Sequence, residues 1–137
     1  NIKQLEILKR LFSKEIDIQT EIYLLHKLAE LDDVEFVKKR ATVLYTEKFD
    51  KLNFELQKYI GDILSDNLES TDFISYCSKI FEKHKPIGLL YSVVRVYDEL
   101  GESEKAISLI QDFLDENPGN IELIQLYDYL IQINSID

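Results

Sequence analysis

From residue 2 onward, apolar side chains return every three or four positions, and the pattern breaks only at short polar stretches. Ile2, Leu5, Leu8 and Phe12 predict a first helix over residues 2–13, widened by Ile7 and Leu11, with Lys3, Lys9 and Arg10 opposite. Ile18, Ile22, Leu25, Leu28 and Ala29 predict a second over 17–31. Asp32, with Glu35 three residues on, reads as the capping box of a third, whose inward side is Phe36, Val37, Ala41 and Leu44. Leu52, Leu56, Tyr59, Ile60 and Ile63 predict a longer helix over 49–66. Ser70 is placed to cap the next, which runs to His84 through Phe73, Ile74, Cys77 and Phe81.

The clearest unit spans residues 87–120. Pro86 suits the first turn of a helix carrying Leu90, Val93 and Tyr97; Gly101 makes a turn; Ala106, Ile110 and Phe113 lie on a second helix that Pro118 closes. A last helix follows, capped by Asn120. The alternation of large and small apolar positions across this unit resembles a tetratricopeptide repeat. Gly101, Ala106 and Pro118 stand where that family places its turn glycine, its small residue at the helix crossing and its closing proline. Val94 and Phe113 depart from the pattern, standing where the family has small residues. The resemblance implies an all-α fold, an α-solenoid of antiparallel helix pairs with about eight helices; the length and composition of residues 1–137 predict one domain, and the absence of methionine with a helical pattern from the start predicts a segment of a longer chain.

Composition narrows the class. Four glycines and two prolines leave little material for hairpins or long loops, and no apolar run approaches the roughly twenty residues that span a bilayer. Membrane insertion is not expected. The formal charge of −10 is uneven: residues 1–85 hold 14 Lys and Arg against 16 Asp and Glu, whereas residues 86–137 hold only Arg95 and Lys105 against ten acids. An acidic half without clustered cations disfavours nucleic acid and suits a basic partner.

Candidate chemistry is sparse. His26 and His84, the only histidines, lack cysteine, histidine or paired carboxylates at metal-ligand spacing, so no metal or cofactor is expected. Cys77 lies among Phe73, Ile74, Ile80 and Phe81 and reads as a buried, inert thiol. A single cysteine suits a reducing, cytoplasmic setting. The stretch Asp115 to Asn120 lacks the glycine and glutamate of a calcium loop and reads as a turn. No phosphate loop or nucleophile elbow occurs, and no catalytic residue is assigned.

The resemblance implies a binding groove lined by the second, fifth, ninth and twelfth positions of each first helix. These are Gly88, Tyr91, Arg95 and Asp98, then Glu122, Gln125, Tyr129 and Gln132, and upstream Phe54, Gln57, Gly61 and Leu64. Tyr91 with Arg95, and Gln125 with Tyr129, replace the lysine and asparagine with which chaperone-binding members hold a terminal carboxylate. The expected function is a non-enzymatic protein-interaction module, a scaffold or adaptor for a peptide or helix. The alternatives are a small acidic secretion-type chaperone and a regulatory domain attached to an unseen catalytic region. The last helix, 121–133, is apolar around more than half its circumference, which predicts self-association or further repeats beyond it.

Overall fold

Eight α-helices and one short 3-10 turn make up the computed structural model, which describes residues 1–134; no strand occurs among them. In chain order the helices are α1 (Ile2–Leu11), α2 (Ile18–Glu30), α3 (Val34–Thr46), α4 (Phe54–Asn67), α5 (Ser70–Lys83), α6 (Ile87–Glu99), α7 (Ser103–Glu116) and α8 (Ile121–Asn134). Every substantial helix–helix contact joins neighbours or next-but-one neighbours in the chain. The architecture is thus all-helical and repeat-like. Phe54, Ile87 and Ile121 open successive even-numbered helices at nearly equal intervals along the chain.

The helix starts follow the short polar residues where these can accept from the first turn. Asn1, Asp17, Asn53 and Asn120 accept from the amides of Gln4, Thr20, Leu56 and Leu123, at 2.7–3.1 Å. Those bonds hold the Asp17 carboxyl below its usual range, Thr20 being the donor.

Several predicted boundaries move. The first helix stops at Leu11. Asp32 does not open α3; it closes α2 in a left-handed conformation, φ 65°. Its amide reaches Ala29 O at 3.0 Å and that of Asp33 reaches Leu28 O at 3.1 Å, the paired bonds of a Schellman closure. Gly101, at φ 72°, closes α6 in the same way, with Gly101 N to Asp98 O and Glu102 N to Tyr97 O. The long helix over 49–66 is broken: a 3-10 turn at Phe49–Lys51 precedes α4, because Asn53 captures the Leu56 amide and starts the helix afresh. Ser70 is already inside α5, whose cap position is Glu69, and Pro86 occupies the cap position of α6 rather than its first turn.

Two apolar clusters fill the interior. The larger joins α2 through α6 and holds Leu25, Leu28, Leu44, Tyr45, Ile60, Leu64, Phe73 and Leu89. Burial pushes the Tyr45 phenol far up; its hydroxyl donates to Gln57 O at 2.8 Å. The smaller joins α6, α7 and α8 through Leu90, Val94, Ala106, Ile110, Phe113, Leu123 and Leu130. Phe81 and Phe113 meet edge to face at 5.1 Å, linking the two. Buried Glu21, paired with Lys48 and Arg40, ties α2 to α3 and the turn after it. Phe12 packs on Phe36 at 5.4 Å and lies under Arg40, which seats the end of α1 on α3.

The exposed face of the even-numbered helices

Among the even-numbered helices, α2 packs on α4 and α4 on α6. On α6, Tyr91 is half-buried while Arg95 and Asp98 reach the surface; on α8, so do Glu122, Gln125, Tyr129 and Gln132. These seven predicted positions are therefore accessible. Gly88 is not: it is buried against α4, where an added Cβ would stand 2.5 Å from Phe54 O.

The upstream prediction is displaced. Gln57, Gly61 and Leu64 are buried and Phe54 is half-buried. The interval from Ile87 to Ile121, counted back from Ile87, lands on Asn53, but α4 begins one residue later, so the register slips by one. Glu55 and Lys58 take surface positions instead, with Asp62 and Ser65 half-buried. The glycines could have revealed this. A glycine inside a helix costs about 1 kcal/mol relative to alanine, and two of them, Gly61 and Gly88, on helices that pack together mark a close crossing rather than an open groove.

Arg95 is already occupied. Its guanidinium donates to Ser65 Oγ at 2.6 Å and to Glu99 at 3.2 Å, and approaches Asp62 at 3.5 Å. The Tyr91 ring meets Phe54 edge to face at 5.1 Å and its hydroxyl reaches Glu122 O at 3.4 Å, so it braces α4, α6 and α8. Partial burial, and then the Glu122 carboxylate, raise its phenol. Tyr23 and Tyr129 keep larger free surfaces, each 59% exposed. Tyr23 on α2 and Tyr59 on α4 lie outside the predicted groove, because the repeat register does not reach α2 and selects other positions on α4.

Two hollows open beside these helices. One of about 350 Å³ lies between α2 and α4, lined by His26, Tyr59, Asp62, Ile63, Asp66 and Asn67. The other, of about 530 Å³, lies where the starts of α4, α6 and α8 converge. Its chief polar groups are engaged, Gln57 with Gly88 N and Leu52 O, and Lys85 with Glu116 at 3.1 Å. His26 pairs with Glu30 at 2.7 Å, and His84 stacks on Phe49 at 5.0 Å. Burial raises the Cys77 thiol well above its usual value, so it holds its proton. Among the described residues no three His, Cys, Asp or Glu side chains are grouped to hold a metal ion. Nor is any described helix long and apolar enough to cross a membrane.

No protein-family model matches the chain, and comparison with curated proteins and with solved structures yields no match.

Proposed function

We propose that this chain is a non-enzymatic interaction module built of tetratricopeptide-like helix pairs in a solenoid, which holds a peptide or helix across the exposed face of its even-numbered helices. The observation that carries the reading is that Tyr23, Tyr59 and Tyr129, one on each of α2, α4 and α8, stand exposed on helices that also expose amide and carboxylate side chains. Tyrosine offers a wide contact surface with few rotatable bonds and is enriched among residues that dominate binding energy. The acidic surroundings favour a partner with positive charge. The single buried thiol suits a reducing compartment, the cytoplasm.

Random-peptide display on the chain, followed by affinity measurement on Tyr129→Ala and Tyr91→Ala variants, tests this reading. Peptides should be enriched, and the double variant should lose about 2 kcal/mol of affinity while keeping its helical signal. Tyr129 is the cleaner probe, since Tyr91 also braces Phe54. Absence of enriched peptides, or unchanged affinity in a folded double variant, rejects the face as the binding surface.

A further inference from the structure

The outer side of α8 is apolar and open. Ile124 and Ile131, seven residues apart on that side, are 39% and 41% exposed. The packing of α6 specifies what is missing. With Ile121 aligned on Ile87, Leu123, Tyr127 and Leu130 take the places of Leu89, Val93 and Val96, and they pack α8 into the smaller cluster as those residues pack α6 into the larger. In the same alignment Ile124, Asp128 and Ile131 take the places of Leu90, Val94 and Tyr97, the side of α6 that α7 covers with Ala106, Ile110 and Phe113. The open surface of α8 therefore has the form of a seat for one more helix, laid as α7 lies on α6.

Two features of α8 constrain that helix. It must be apolar where it meets Ile124 and Ile131, and it must meet the Asp128 carboxylate, which stands between the two isoleucines on a helix that carries no cation. Asp128 makes no ion pair among the described residues. The chain's own first helix has the complementary character. Ile7 and Leu11 are 47% and 37% exposed on α1, with Lys3 and Arg10 on the same face at helical spacing. Lys3 and Arg10 likewise make no ion pair among the described residues, whereas Lys9, on the inner side, is held by Asp33. A hollow of about 320 Å³ on this outer surface is lined by Asn1, Lys3, Gln4, Ile7 and Leu8.

We propose that the chain associates head to tail, α1 of one copy covering the open side of α8 of the next. The contact joins two different surfaces, so each copy retains a free α1 and a free α8 and assembly does not stop at a dimer unless the rotation closes a ring. This inference is independent of the peptide-binding reading, because the residues involved lie on other faces.

Sedimentation across a concentration series tests it with two variants of the 137-residue chain. One carries Ile124→Glu and Ile131→Glu, the other Ile7→Glu and Leu11→Glu; all four side chains are exposed, and circular dichroism checks that both variants fold. The parent should show a weight-average mass that rises past two copies. Each variant alone should be monomeric, and an equimolar mixture should form a dimer that grows no further, through the intact α8 of one and the intact α1 of the other. A monomeric parent overturns the proposal. So does a variant lacking the α1 face that still dimerises, which would mean that α8 pairs with α8, and so does a mixture that stays monomeric.

Discussion

The amide of Gly88 donates to the side-chain oxygen of Gln57 at 2.9 Å, so the first turn of α6 is capped by a residue of α4. Pro86, at the cap position, offers no side-chain acceptor, and the orphan amide of the first turn is satisfied across the helix crossing instead. Gln57 is buried and its amide nitrogen donates to Leu52 O at 3.1 Å, which leaves both ends of the side chain partnered. This bond requires the two backbones to lie close, and glycine at 88 allows it.

Replacing that glycine should therefore be costly in a way that replacing Gly61 is not. A Cβ at position 88 would stand 2.5 Å from Phe54 O and 2.7 Å from Lys58 N, backbone atoms that cannot rotate aside. A Cβ at 61 meets side-chain atoms alone, Leu89 Cδ1 and Ser92 Cβ at 3.1 Å and, closest at 2.6 Å, Ser92 Oγ, which can turn aside. Each substitution regains about 1 kcal/mol of helix propensity. Gly88→Ala should lose about 2 kcal/mol net, whereas Gly61→Ala should stay within about 1 kcal/mol of the parent. Urea unfolding measures both; equal shifts in midpoint would mean that α4 and α6 cross elsewhere.

The helices themselves were legible in the sequence, because the three-and-four spacing of apolar residues is strong in every segment and only four glycines and two prolines interrupt it. Asp17 and Asn120 were legible as caps or starts for the same local reason. What was not legible is register across helices. Phe49 to Asp66 reads as one apolar-periodic run, and only the capture of the Leu56 amide by Asn53 divides it. That division moved the accessible side of α4 from Gln57, Gly61 and Leu64 to exposed Glu55 and Lys58 and half-buried Asp62 and Ser65. A one-residue slip turns a helix by about 100° and exchanges surface for core. The pairing of Arg95 with Ser65, on a different helix, is likewise a tertiary outcome that no local pattern contains.

The two Schellman closures give a contrast in backbone strain. Asp32 and Gly101 occupy the same position after their helices, at φ 65° and 72°, but only glycine adopts that region freely. Asp32→Gly should thus stabilise the chain by about 1 kcal/mol, and Gly101→Ala should destabilise it by a similar amount. Thermal melts of the two variants should move in opposite directions. A fall in melting temperature for Asp32→Gly would show that the aspartate contributes more through its carboxylate than its conformation costs.

The smaller core offers a test of how α6 and α7 meet. Ala106 is 1% exposed and shares a cluster with Leu90, Val94, Ile110 and Phe113, so a larger side chain there has no open space to enter. Ala106→Leu should cost roughly 1–3 kcal/mol by overpacking, read as a lower urea midpoint with an unchanged slope. The tetratricopeptide-like alignment further implies that Val94, which stands where that family has a small residue, faces Ala106 across the crossing. Val94→Ala alone should also destabilise, since it leaves a cavity in a closed cluster. Combined with Ala106→Leu, however, it removes volume where the leucine adds it, and the pair should recover at least about 0.5 kcal/mol relative to the sum of the single losses. Strict additivity in that double-mutant cycle would place the two residues apart and detach the α6–α7 pair from the repeat geometry it resembles.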